Sequence, residues 1–180
     1  DGARFGNALS ALNCTAADMT WKAGVDAVTF GCTKNGLMGA EAVIFFNNEH
    51  AREFELRRKR AGHLLSKNRY LSAQMLGYLE NDLWLDLAKS ANSSARNLAA
   101  LLSSLSYVKL HHQPDANIIF ADMPRRVHQQ LLQAGVQYYL RNGSFEGDLD
   151  EPLTGRFVCS WSTTEKDIEE LSAVVKKLIY

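Results

Sequence analysis

No proline interrupts the first 113 residues of this 180-residue chain; Pro114, Pro124 and Pro152 all come later. Proline lacks an N–H donor and fixes φ, so it ends helices and is kept out of central strands. The stretch before Pro114 is therefore free to run in long helices, whereas the remainder must turn often. In that early stretch, residues 25–33 (Val25, Ala27, Val28, Phe30) and 41–46 (Val43, Ile44, Phe45, Phe46) read as short buried strands. Asn48 is placed to cap a helix that starts at Glu49 and stays charged through Arg60. From Ser66, the residues Leu71, Met75, Leu79, Leu83 and Leu87 recur at i+4, the spacing of one helix face. Asn81-Asp82 is a point where that helix breaks or bends, and a second helical stretch closes on Leu98, Leu101, Leu102 and Leu105.

After Leu105 the pattern changes. Residues 107–110, 117–121, 137–140 and 157–161 read as strands. Pro124 suits the first turn of a helix capped near Asp122 or Met123, which runs to about Ala134 and is ended by Gly135. Thr164-x-x-Asp167 has the form of a capping box, followed by a one-sided stripe of Ile168, Leu171, Val174, Val175 and Leu178. Strands mixed with helices after one long helix predict a compact α+β unit from about residue 84.

Twenty Lys and Arg balance twenty Asp and Glu, and 46% of the residues are apolar. This is the composition of a globular chain, and it excludes collagen-like, disordered and disulfide-scaffold classes. A neutral chain offers no electrostatic reason to expect nucleic acid or an anionic membrane as a partner. The apolar run 42–46 is far shorter than the roughly 20 residues of a membrane span. Cys14, Cys32 and Cys159 are odd in number and far apart. They suit a reducing cytoplasm better than a disulfide framework or a zinc ribbon. Tripeptides such as the sequons at Asn13, Asn92 and Asn142 arise readily by chance.

A few residues have chemistry to offer. Lys34 follows a strand in Thr33-Lys34-Asn35-Gly36; residues at the carboxyl ends of strands line the clefts of α/β enzymes. Asn-Gly between apolar runs is equally a hairpin turn, in which Lys34 simply faces solvent. In the functional reading its amine attacks a carbonyl to form a Schiff base. Asp1-Gly2-Ala3-Arg4 sets a carboxylate and a guanidinium three residues apart, although Asp-Gly is also a turn signal. Arg156 opens an apolar strand, where it is either a rim charge or a bidentate holder of a carboxylate. Residues 49–69, with Arg57-Arg58-Lys59-Arg60, Lys67 and Arg69, carry a net charge of +4, which fits a solvated helix face better than the alternatives of a localisation signal or a nucleic-acid patch. The five histidines show no metal-binding spacing, and the adjacent His111 and His112 would point to opposite faces of a strand. No P-loop, G-x-G-x-x-G or G-x-S-x-G is present.

Four of these stretches, in order, resemble the low-specificity threonine aldolase family, pyridoxal-phosphate (PLP) enzymes of the aspartate-aminotransferase fold type. Asp1-Gly2-Ala3-Arg4 is similar to the family's D-G-A-R, and residues 31–37 are similar to its lysine loop. Arg58-Lys59-Arg60-Ala61-Gly62 leading to Lys67-Asn68-Arg69 resembles its basic helix-to-helix segment, and residues 156–164 resemble its C-terminal arginine strand. The resemblance implies that Lys34 holds PLP as a Schiff base while Asp1 pairs with the pyridinium nitrogen. It implies that Arg4 lies near the cofactor's phenolic oxygen and the substrate carboxylate, and that Arg156 clamps that carboxylate. Arg69 would contact the phosphate, supplied to a neighbouring subunit. The implied reaction is retro-aldol cleavage of L-threonine or L-allo-threonine to glycine and acetaldehyde, in a cytoplasmic homodimer or homotetramer.

The implied fold class is α/β. Residues 1–83 would be the C-terminal remainder of a PLP fold-type-I large domain, and residues 84–180 a small α+β domain with an antiparallel sheet. Two departures stand out. Asn35 occupies the position after the lysine where many relatives have glycine, and with Gly36 following it reads as a tolerated variant. Family members also carry well over a hundred residues before D-G-A-R, including a glycine-rich phosphate loop, a ring-stacking group and histidines acting on the β-hydroxyl. The chain thus resembles a C-terminal half, expected to bind PLP poorly by itself and to need the N-terminal half as its partner. Two other readings of these residues stay open. One is a β-eliminating lyase or racemase-like enzyme of the same fold; the other is a non-catalytic assembly module whose Lys34 is an ordinary turn lysine.

Overall fold

The computed structural model describes residues 1–178, which divide into two compact units, the first Asp1–Lys89 and the second from Ser90 onward. In the first unit, helix α1 (Phe5–Leu12) precedes an antiparallel pair, β1 (Ala27–Gly31) and β2 (Glu41–Phe45), whose register sets Thr29 opposite Val43 and Gly31 opposite Glu41. Helices α2 (Asn48–Arg60) and α3 (Arg69–Leu79) follow. Asn47, one residue ahead of the expected cap, starts α2 by accepting a hydrogen bond from the Glu49 N–H. The i+4 row beginning at Leu71 is broken where expected. Asn81 and Asp82 take φ of 52° and 58°, a left-handed conformation that Asn and Asp tolerate better than most residues. Helix α4 (Leu83–Ser103) resumes beyond the break.

Phe30, Cys32 and Tyr78 form the buried heart of this unit, with Phe5, Met75, Trp84 and Leu87 packed around them. Phe5 and Trp84 both meet the Phe30 ring edge-on, at 5.9 and 5.5 Å. Such pairs contribute about 0.5–1.5 kcal/mol each beyond their area. The expectation of two buried strands is corrected here. A two-stranded ribbon covers itself poorly, and Val43, Ile44 and Phe46 remain exposed.

The second unit is an antiparallel sheet in the order β3 (Lys109–Leu110), β4 (Ile118–Pro124), β6 (Pro152–Val158), β5 (Tyr139–Leu140). Strict alternation along β4 buries Ile119, Ala121 and Met123 on one face. Leu98, Ala99 and Leu102 of α4, Val127 and Leu131 of α5 (Arg125–Gln133) and Val175 of α6 (Glu165–Val175) close over that face. The Thr164–Asp167 capping box is present in full.

Three expectations change in this unit. Pro124 ends β4 and caps α5 from outside the helix, while Asp122 is a strand residue whose carboxylate accepts from Thr154 Oγ1 at 2.6 Å. Strand β6 starts five residues earlier than the apolar run 157–161 suggests, because Leu153, Thr154 and Gly155 pair in register with Met123, Asp122 and Ala121. His111 and His112 lie beyond β3, so strand alternation does not apply to them, and both rings come within 6.4 Å of Phe120. The three cysteines are free, with Cys32 and Cys159 buried and Cys14 half-buried. Asn92 is buried, which excludes glycosylation of the folded chain there.

Candidate active site

The four residues of Asp1-Gly2-Ala3-Arg4 lie across the end of β1. Gly2 N–H donates to Thr29 Oγ1 at 3.0 Å, and the Gly2 carbonyl accepts from Gly31 N–H at 3.1 Å and from Phe5 N–H at 3.0 Å. Only glycine permits this approach. A Cβ on Gly2 would stand 1.9 Å from the Thr29 carbonyl oxygen, and one on Gly31 would stand 2.7 Å from Ala3 Cα. Asp1 caps the same turn, its Oδ1 accepting from Ala3 N–H at 2.9 Å, and Arg4 sits at the N-terminus of α1.

Strand β1 leads directly into the lysine. After Gly31 and the fully buried Cys32, a single 3₁₀ turn spans Thr33–Asn35, with Lys34 exposed in its middle. The segment joins an antiparallel pair, as a hairpin connection should, but it runs from residue 32 to residue 40 and is not a two-residue Asn-Gly turn. Gly36 has φ of 123°, outside the range of most side chains.

The turn is tied down on every side of the lysine. Thr33 N–H donates to Glu41 Oε1 at 3.2 Å, Asn35 N–H to the Cys32 carbonyl at 3.0 Å, and Met38 N–H to Gln74 Oε1 at 2.8 Å. Asn35 is buried, and its Nδ2 donates to Tyr78 Oη at 2.6 Å and to the Trp84 carbonyl at 2.8 Å. Burial pushes the Cys32 thiol up to about 12, helped by the Glu41 carboxylate. Burial likewise raises the Tyr78 hydroxyl to about 12. Both are neutral at pH 7, which leaves the Glu41 carboxylate as the charge bonded to the turn's backbone.

The other two sequence candidates sit elsewhere. Arg69 opens α3, and its guanidinium lies 4.9 Å from the ring centre of Tyr70. Arg156 belongs to the second unit as the fifth residue of β6, well inside the strand, with Phe120 and Tyr139 beside it in register. The residues flanking it on the core side are tightly fitted. A Cβ on Gly155 would meet Phe157 at 2.8 Å, Tyr138 at 3.1 Å and His128 at 3.2 Å. His128 is fully buried and donates through Nε2 to the Leu153 carbonyl at 2.9 Å, leaving Nδ1 to accept from Tyr138 Oη at 2.7 Å. Burial lowers its pKa and keeps the imidazole neutral.

Asn35, Tyr78 and Glu41 escape sequence reasoning as contributors to the lysine turn. Tyr78 stands 43 residues from Asn35, and nothing in local spacing joins them. The two-donor side chain placed beside the lysine was the available signal. Asp1, Arg4 and Lys34 supply a carboxylate, a guanidinium and a primary amine around the carboxyl end of one strand. That donor set, with the two glycines that let the backbones touch, fits a cofactor carrying an aldehyde, a basic ring nitrogen and anionic oxygens. Among the described residues no cluster of metal-ligating side chains is present, and no helix is long and apolar enough to cross a membrane.

Comparison with known proteins follows the same lines. Over 179 residues, 99% of its length, the chain is 41% identical to a low specificity L-threonine aldolase of Pseudomonas sp. (strain NCIMB 10558). Over 176 residues it is 40% identical to the protein of that name in Pseudomonas aeruginosa. It spans about half the length of these curated relatives, 49% of each. The solved structure of Leishmania major threonine aldolase superimposes on the entire chain with a TM-score of 0.85 at 27% identity, using 51% of that protein. The architecture is accordingly the α/β one of the C-terminal half of a threonine aldolase, with antiparallel sheets. The sequence model of the beta-eliminating lyase family matches residues 1–125, from the glycine-clamped Asp1 turn through Lys34 and into β4 and α5, and the chain belongs to that family.

Proposed function

We propose that the protein is a PLP-dependent threonine aldolase that cleaves L-threonine or L-allo-threonine to glycine and acetaldehyde. The observation that carries this reading is the backbone clamp of Gly2 on Thr29 and Gly31, which sets Asp1 and Arg4 on the strand leading into Lys34. PLP, when bound, supplies an electron sink for the pair left on the α-carbon when the Cα–Cβ bond breaks. Lys34 would attach the cofactor through Nζ. Asp1 would hold a proton on the ring nitrogen, and Arg4 would neutralise the phenolic oxygen and the substrate carboxylate. Arg156 would hold that carboxylate bidentately, which fixes the orientation of the Cα–Cβ bond. Arg69 would contact the phosphate of a neighbouring subunit's site.

The chain would act within a longer polypeptide, paired with the N-terminal half that its relatives possess, and as a cytoplasmic homodimer or homotetramer. The highly exposed Met38 and Leu76 are consistent with surfaces covered in such an assembly. In domain terms, residues 1–83 would be the end of the cofactor-binding domain and 84–180 the small domain.

The test is borohydride reduction of the intact protein followed by peptide mass analysis, with threonine turnover measured alongside. A reduced PLP adduct on Lys34, lost together with glycine and acetaldehyde production in Lys34→Ala, is the expected result. A protein that cleaves threonine while its adduct lies elsewhere, or forms none, overturns the assignment. The family match favours one competing reading, β-elimination, in which a β-substituted amino acid gives pyruvate and ammonia. Product analysis separates the two.

A further inference from the structure

Asn35 stands directly after the lysine, and it is one of the buried polar residues, at 3% exposure. Its amide orientation is fixed by chemistry. The Trp84 carbonyl can only accept, so the nitrogen faces it, and the same nitrogen reaches Tyr78 Oη. Tyr78 is itself 2% exposed, on α3, and Trp84 lies in the first turn of α4. Helix α1, whose N-terminus carries Arg4, also closes on this amide: a Cβ on Gly6 would stand 3.3 Å from Asn35 Nδ2. One side chain therefore bonds to α3 and α4 and lies close to α1, one residue after Lys34.

We propose that Asn35 is a positioning residue for Lys34, holding the lysine turn in register with the Asp1–Arg4 segment through its bonds to Tyr78 and Trp84. With Thr33 N–H bonded to Glu41 on one side and the Asn35 side chain bonded on the other, the backbone at Lys34 is anchored at both flanks. The freedom left to the amine is that of its own side-chain torsions, which is the preorganisation a covalently attached cofactor requires. The inference rests on Lys34 being the attachment point proposed above.

The experiment compares Asn35→Asp, Tyr78→Phe and Lys34→Ala in the intact protein. Turnover is normalised to the PLP trapped by borohydride per folded chain. Asn35→Asp keeps the shape but sets a carboxylate oxygen against the Trp84 carbonyl. It should lower kcat on the order of 100-fold, the effect of about a 1 Å misplacement, and leave KM for threonine nearly unchanged. The visible circular dichroism of bound PLP should shrink with it. Tyr78→Phe removes one of the two bonds and keeps the ring packing, so its loss should be about tenfold, in the same parameter. A merely structural role would lower the folded fraction without touching normalised kcat or the dichroic band, and that result overturns the proposal. So does wild-type behaviour of Tyr78→Phe should Asn35→Asp fail to fold. If Lys34→Ala still carries trapped PLP, the underlying assignment of Lys34 falls instead.

Discussion

Replacing Gly2 by alanine tests whether the first turn is truly locked onto β1. The added Cβ would lie 1.9 Å from the Thr29 carbonyl oxygen, whereas real Cβ contacts essentially never fall below 3.0 Å. The turn must therefore retreat by at least 1.1 Å, and the obstacle is backbone, which cannot rotate aside. Hydrogen bonds of 3.0 Å from Gly2 N–H to Thr29 and 3.1 Å from Gly31 N–H to Gly2 do not survive such a shift. Two bonds at about 1 kcal/mol each give about 2 kcal/mol, or roughly a 30-fold loss of protection at the Gly31 amide. Native-state hydrogen exchange read at that amide is the assay, with PLP affinity of the intact protein as a second readout. Gly77→Ala serves as the control, since nothing lies within 4 Å of its added Cβ. In the helix it should stabilise by about 0.5–1 kcal/mol. Unchanged Gly31 protection and unchanged PLP affinity in Gly2→Ala would refute the clamp and the site built on it.

Two further outcomes follow from the second unit. Arg156→Ala should raise KM for threonine about 10- to 100-fold, the value of charge-assisted hydrogen bonds, with a smaller change in kcat; steady-state kinetics on the intact protein decides this, and an unchanged KM removes Arg156 from the substrate. His128 is held neutral by burial, with a folded-state pKa below its ordinary value. The unfolded chain takes up a proton below about pH 6.5 that the folded chain refuses, so this contribution to stability is complete above that pH and is lost as pH falls. Urea denaturation at pH 7 and pH 5 should show a larger drop for the wild type than for His128→Gln, and equal drops would contradict the assignment.

The periodic features were legible because each is a local contest between backbone and side chains. The break at Asn81-Asp82, the Thr164–Asp167 box and both strands of the β1–β2 pair could be read from neighbouring residues. The start of β6 could not. Pro152 and Gly155 are poor strand formers, and they enter the sheet because Pro124 and Ala121 of β4 offer them a register partner. Asp122 is a similar case. Burial pushes its carboxyl up, but bonds from Thr154 and His111 together outweigh that and hold it below its usual value. Both partners are distant in sequence, so a helix cap was the natural local reading. At the site, the order of motifs identified Asp1, Arg4, Lys34, Arg69 and Arg156 as candidates. What no spacing reveals is that Gly2 touches Thr29, or that Asn35 is bound across 43 residues to Tyr78.

The distribution of thiols gives the molecule a practical property. Burial pushes Cys32 up to about 12 and Cys159 up to about 11, so neither presents an accessible thiolate at neutral pH. Alkylating reagents and mild oxidants act on the exposed thiolate form, which leaves the half-buried Cys14 as the accessible target. Cys14 lies just beyond α1, the helix that begins at the Asp1–Arg4 turn. The chain thus offers an addressable handle at the far end of the helix that begins at that turn, about 12 Å along its axis. A maleimide fluorophore or spin label placed there would report on the C-terminal end of α1 while Cys32 and Cys159 stay unlabelled.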